Sequence, residues 1–186
     1  DVQYALGYHV MPKDMARSGQ IIPQINWTAC TLIEGEIRGL AAHGSQPHLG
    51  INAIDVGAAI VNAVNALHSN PLLGGSVKTT RFIGGAGSLN AICDKVSIGF
   101  DLRSTSNAEM LVLRQKVADI VTNMAKLYGA EGESHIVGTC PAAEADPSLL
   151  ALTKEVIVDV LGTQGLLPAA NITVGEDFNF FKQEKP

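Results

Sequence analysis

An α+β fold is predicted for this chain of 186 residues: an antiparallel sheet with two helices on one face, set between stretches of another domain. Three observations predict it. Val96, Ile98, Phe100 and Leu102 alternate with Ser97, Gly99, Asp101 and Arg103, which is the period of a strand with one apolar face. Two long segments, opening at Asn52 and at Ser106, carry apolar residues at helical spacing behind a capping side chain. The segments run strand, helix, strand, strand, helix, strand, and that order is the split βαβ, ferredoxin-like βαββαβ pattern.

The first strand is expected over Thr31–Arg38, with Ile33, Gly35 and Ile37 on one face and Glu34, Glu36 and Arg38 on the other. Asn52 caps the first helix and Asp55 favours its positive end. Ile54, Ala58, Val61, Val64 and Leu67 form its apolar stripe. Asn70-Pro71 and Gly74-Gly75 break the chain before a β-rich run from Val77 to Ile83. Ser106 and Glu109 make a capping box for the second helix. Its stripe reads Leu113, Val117, Ile120, Val121, Met124 and Leu127, and Gly129 ends it. Glu133–Gly138 supplies the last strand. A free edge strand of such a sheet can pair with a second copy.

The flanks read differently. The start is Tyr-rich and then carries Pro12 and Pro23. After Cys140-Pro141 a third helix is expected, capped by Asp146, opened by Pro147 and closed by Gly162, with Leu149, Leu150, Thr153, Ile157 and Val160 as its stripe. Asn171-Ile172-Thr173-Val174 then leads into Gly175-Glu176-Asp177-Phe178. The expected division is residues 1–28, 29–140 and 141–186, the middle unit being inserted between two pieces of one other domain.

Composition narrows the function. Hydrophobic residues make up 46%, enough for a core, and the net charge of −5 leaves no basic stripe for nucleic acid. No apolar run is long enough to cross a bilayer. Cys30, Cys93 and Cys140 are three widely spaced cysteines without a CxxC pair, which argues for free thiols in a reducing cytoplasm.

His43 and His48 bracket Gly44-Ser45-Gln46-Pro47, a loop in which Gly and Pro forbid regular structure. Imidazoles there are either solvated or positioned for chemistry. Arg103 points away from the core, as a charge paired with Asp101 or as a ligand for an anion. Glu176 and Asp177 either favour a helix N-terminus or belong to a site.

Four motifs resemble one family in order along the chain. Gly39-Leu-Ala-Ala-His43-Gly-Ser-Gln-Pro-His48-Leu-Gly-Ile-Asn52-Ala resembles the lid-domain signature of the zinc-dependent amidohydrolases that include aminoacylases, carboxypeptidase G and indole-acetyl-amino-acid hydrolases. Ser88-Leu-Asn90-Ala-Ile92 followed by Asp101-Leu-Arg103 is similar to the second lid signature. Tyr4-Ala-Leu-Gly-Tyr-His9-Val-Met-Pro12 and Gly175-Glu176-Asp177-Phe178 are similar to catalytic-domain segments.

The resemblance implies a ferredoxin-like lid, or dimerisation, domain flanked by segments of an α/β metallohydrolase catalytic domain. It implies hydrolysis of the amide bond of N-acyl amino acids or small peptides, with two divalent ions, zinc or manganese. His9 matches a metal-binding histidine. His43 matches a lid histidine that reaches the partner subunit's active site and stabilises the oxyanion. Asn90 and Arg103 match residues that hold the substrate, a guanidinium suiting a carboxylate. Glu176 matches a catalytic-site glutamate. A homodimer through the lid is implied; a membrane or nucleic-acid partner is not. Cys93 stands where the family carries proline.

The chain has no His-x-Asp run and no Glu-Glu pair. It is therefore expected to be a fragment that is inactive alone, since a hydrolytic zinc site takes about three protein ligands. Topology alone leaves two other readings open: a non-catalytic dimerisation module, or a small-molecule-binding regulatory domain.

Overall fold

The computed structural model describes residues 3–184; the outermost residues of the expected 1–28 and 141–186 segments lie outside them. In chain order the elements are β1 (Ile25–Trp27), β2 (Ala29–Arg38), α1 (Ala53–Asn65), β3 (Ser76–Gly84), β4 (Lys95–Ser104), α2 (Asn107–Leu127), β5 (Glu131–Cys140), α3 (Pro147–Leu161), β6 (Ala170–Ile172) and α4 (Phe180–Glu184). They gather into two compact units, Ala29–Thr139 and the pair Asp1–Thr28 with Cys140–Pro186.

The Ala29–Thr139 unit is ferredoxin-like. Its sheet has the order β3-β4-β2-β5, so each helix connection skips a strand. β2 and β4 pair antiparallel from Ala29↔Ser104 to Arg38↔Lys95. Side chains alternate across a strand. Ala29, Thr31, Ile33, Gly35 and Ile37 of β2 therefore share a buried face with Val96, Ile98, Phe100 and Leu102 of β4. Both helices pack on this sheet and against each other. Removing a side chain such as Phe100 from water contributes about 1.5–3 kcal/mol. The other face carries ion pairs, Arg38–Glu36 and Lys95–Glu36 at 2.7 Å and Arg81–Glu34 at 2.8 Å.

The capping side chains act as the sequence predicts. Asn52 Oδ1 accepts from Ile54 N at 3.2 Å, and Ser106 Oγ accepts from Glu109 N at 3.3 Å. α1 is rotated from the expected stripe: Ala53, Val56, Gly57, Ile60 and Val64 are buried, whereas Ile54 and Ala58 face out. α2 buries Met110, Leu113, Val117, Val121 and Ala125, and Leu127 is exposed. Arg114, also on α2, ties two strands together. Its Nε donates to Thr31 Oγ1 at 2.8 Å and its Nη2 to Thr139 Oγ1, so the buried Thr31 hydroxyl is satisfied. Burial holds this guanidinium below its ordinary pKa.

In the other unit β1 and β6 pair in parallel, Trp27 opposite Ile172, and Asn26 Nδ2 donates to Asn171 Oδ1 at 2.8 Å. Asp146 caps α3, accepting from Ser148 N and Leu149 N at 2.9 Å each. Ile157 is buried on this helix, but Val160, placed on the same stripe, is exposed, as are Leu152 and Val156. Among the described residues no helix is long and apolar enough to cross a membrane.

Candidate functional site

Two groups of side chains carry chemistry, one in each unit. The first joins His9 to Glu176, 167 residues apart in sequence. Glu176 follows β6 by four residues, and β6 lies beside β1, so the parallel pair fixes where Glu176 can stand. Gly7 fixes the other partner. The Phe178 ring lies 3.3 Å from where a Gly7 Cβ would be, so the extended segment carrying His9 runs close against it. His9 Nε2 and Glu176 Oε2 are then 2.5 Å apart. A carboxylate accepts, so Nε2 carries a proton, and in the neutral ring Nδ1 is the lone-pair nitrogen.

Trp27, the one tryptophan of the chain, stands with its ring centroid 5.0 Å from that of His9 and tilted by 55°. Glu176 is held ionised below the usual carboxylate range. The Phe178 N–H at 3.2 Å is the largest cause, followed by Asp177; burial works against them, and His9 adds to the lowering.

The second group is built by two loops of the ferredoxin-like unit. One follows β2 and carries His43; the other precedes β4 and carries Asn90. They pair like short strands: Gly44 N donates to Asn90 O at 2.6 Å, Ile92 N donates to Ala42 O at 2.8 Å, and His43 faces Ala91. Cys93 braces the second loop. Its Sγ accepts from Gly85 N at 3.2 Å and donates to Lys95 O at 3.1 Å.

His43 is held in one tautomer. Ser45 N donates to Nδ1 at 3.2 Å, with Ser45 Oγ 2.8 Å away. Nδ1 is thus an acceptor, and the neutral ring carries its proton on Nε2. Ser88 Oγ donates to Asn90 Oδ1 at 2.5 Å and fixes that amide as well. Ser45, Ser88 and Trp27 were not singled out from the sequence. For Ser45 the signal is the two-residue spacing from His43, which suits a side-chain turn.

Arg103 stands elsewhere. It is half-buried and grips Asp101 with both edges of the fork, Nε to Oδ1 at 2.6 Å and Nη2 to Oδ2 at 2.9 Å. In register it faces Cys30, whereas Arg38, just before the His43 loop, faces Lys95. The strand between these ends is about 27 Å long at ~3.3 Å per residue. His48 stays exposed in a short 3₁₀ turn with no hydrogen-bonding role in the site.

The metal expectation meets a plain limit. Among the described residues no three His, Cys, Asp or Glu side chains converge as a metal site. His9 and Glu176 offer two donors, short of the three or four that zinc takes. These residues do not form a metal centre by themselves.

Comparisons with known proteins agree with this architecture. The chain is 33% identical over 96% of its length to an uncharacterized hydrolase of Sinorhizobium fredii, covering 45% of that protein. It is 25% identical over 83% of its length to an IAA-amino acid hydrolase of Arabidopsis thaliana, covering 36% of it. Its fold matches a Bacillus subtilis protein described as a dinuclear metal binding peptidase, with a TM-score of 0.69, 19% identity, 90% of this chain and 41% of that one. The chain spans less than half the length of each of these relatives. Residues 29–129, the greater part of the ferredoxin-like unit, match the family described as peptidase dimerisation domain, and the chain belongs to that family.

Proposed function

We propose that the chain is part of a metal-dependent amidohydrolase that hydrolyses the amide bond of N-acyl amino acids or small peptides and works as a homodimer through the ferredoxin-like unit. The observation that carries this reading is the locked His43 ring, whose Nδ1 is held by Ser45 so that the neutral ring keeps Nε2–H as a donor, on a loop paired with that of Asn90. A fixed donor of that kind stabilises the negative charge that develops on a carbonyl oxygen under attack.

The separation of His43 from Arg103 supports a shared site. One small substrate would not span both residues of a single chain, and in this reading it meets His43 of one copy and Arg103 of another. Arg103 would take the substrate carboxylate beside Asp101, and Asn90 would orient the amide. Metal ions, when bound, supply an activated water. In this reading His9 contributes one imidazole through Nδ1, with Glu176 orienting it from the other nitrogen. The remaining ligands come from outside these 186 residues. Three free thiols support a cytoplasmic setting.

The test is amide release from a panel of N-acyl amino acids by the intact protein, with zinc or manganese and after chelation. Metal-dependent release by the intact protein, and none by the 186 residues alone, is expected. No release from any member of the panel would sink the reading. So would turnover by the 186 residues alone that vanishes on His9→Ala.

A further inference from the structure

We propose that Leu89 is a specificity-determining side chain, which the lid loop offers to the apolar acyl group of a substrate bound in a second copy's active site. This rests on the function proposed above and adds the part of the substrate that the polar residues leave unread.

Leu89 is fully exposed. An isolated exposed leucine would need no explanation, but the loop around this one is tied by its own hydrogen bonds to the loop of His43. Ser88 Oγ bonds Asn90 Oδ1 on either side of it, and Ala91 N donates to Ser88 O at 3.3 Å. Asn90 O is taken by Gly44 N at 2.6 Å. Gly85 and Gly87 hold left-handed backbone angles, φ +145° and +73°, and no atom lies within 4 Å of where their Cβ would be. The tip therefore stands clear of the unit, braced at its base by Cys93.

The same bonds fix Leu89 relative to His43. His43 faces Ala91 across the paired loops, and Leu89 stands two residues before Ala91, in the turn that the Ala91 N to Ser88 O bond closes. An exposed leucine on the same pair of hydrogen-bonded loops as a tautomer-locked imidazole and a fixed amide is the make-up of a ligand-site wall, apolar with few convergent polar groups. With His43 on the carbonyl and Arg103 on the carboxylate, the acyl chain is the apolar piece left for Leu89.

The test compares kcat/KM for N-phenylacetyl-alanine and N-acetyl-alanine in the intact protein as wild type, Leu89→Ala and Leu89→Met. Leu89→Ala should lower the phenylacetyl-to-acetyl ratio about 10-fold or more, in the range expected when apolar contacts leave a pocket. Leu89→Met should restore most of it. A structural role would lower both substrates together and leave the ratio unmoved, and that result overturns the proposal. An unchanged ratio with a dimer weakened in sedimentation also overturns it, since Leu89 would then serve the contact between copies. If the wild type cleaves neither compound, the function proposed above falls and this inference falls with it. If the wild type cleaves them and the ratio ignores residue 89, this inference falls alone.

Discussion

The ring of Phe82, on edge strand β3, fills the space that a side chain on Gly57 of α1 would occupy: a Cβ there would meet Cε2 at 2.6 Å and Cζ at 2.7 Å. Glycine inside a helix costs about 0.8–1 kcal/mol relative to alanine, so this position trades helix propensity for contact between α1 and the sheet. Gly57→Ala should gain nothing in the native background, because the ring must move. Made together with Phe82→Ala, it should stabilise by about 0.8–1 kcal/mol relative to Phe82→Ala alone. Urea midpoints of the four proteins would decide, and equal effects in both backgrounds would rule out the ring as the reason.

Leu113 is fully buried, Ile120 half-buried and Leu127 exposed on the same helix. Leu113→Ala should cost about 2–5 kcal/mol. Ile120→Ala should cost less than Leu113→Ala, and Leu127→Ala should stay within about 0.5 kcal/mol. Chemical denaturation at matched slopes would rank them; a Leu127 loss as large as that at Leu113 would place α2 in the wrong rotation.

Asp146 is held below the usual aspartate range, first by the Ser148 hydroxyl and then by the Leu149 N–H. A folded-state value below the unfolded one means that its support of α3 is complete above the unfolded value. That support is lost as pH falls through the folded one. Amide exchange at Ser148 and Leu149 should therefore accelerate in acid beyond the intrinsic rate. Asp146→Asn keeps a capping acceptor and should flatten that response; an identical acid response would remove the carboxylate from the explanation.

His43→Ala in the intact protein should lower kcat about 10²–10³, the usual loss for one oxyanion donor, with little change in stability because the loop is exposed. Arg103→Ala should act mainly on KM. If one site draws His43 from one subunit and Arg103 from the other, mixing the two variants yields one site lacking both and one intact site. Activity should return on subunit exchange. Exchange verified by mass without any recovery would show that the two residues do not serve sites shared in this way.

Much of the fold was legible. β4 alternates cleanly, the caps at Asn52, Ser106 and Asp146 act where the sequence puts them, and the order of elements gave the topology. The rotation of α1 was misread because nearly every position of Ala53–Asn65 is apolar. Its few polar residues were the better guide: Asp55, Asn62 and Asn65 cluster on one side of the helical wheel, opposite the buried face. The meeting of His9 with Glu176 could not be read from spacing, since a parallel strand pair and a glycine-permitted ring contact bring them together across 167 positions. Nor could the pairing of the His43 and Asn90 loops, whose bonds run through backbone groups that every sequence possesses.

Thr139 Oγ1 donates to Cys30 O at 3.1 Å, so the chain enters the ferredoxin-like unit and leaves it on neighbouring strands a single hydrogen bond apart. A segment whose two ends meet in this way is a cassette. It can be cut out and its host rejoined with a linker of a few residues, at little loop-closure cost, and a foreign unit with equally close ends can be set in its place. The ferredoxin-like unit and the host chain can then be inherited separately, each free to drift at its own pace.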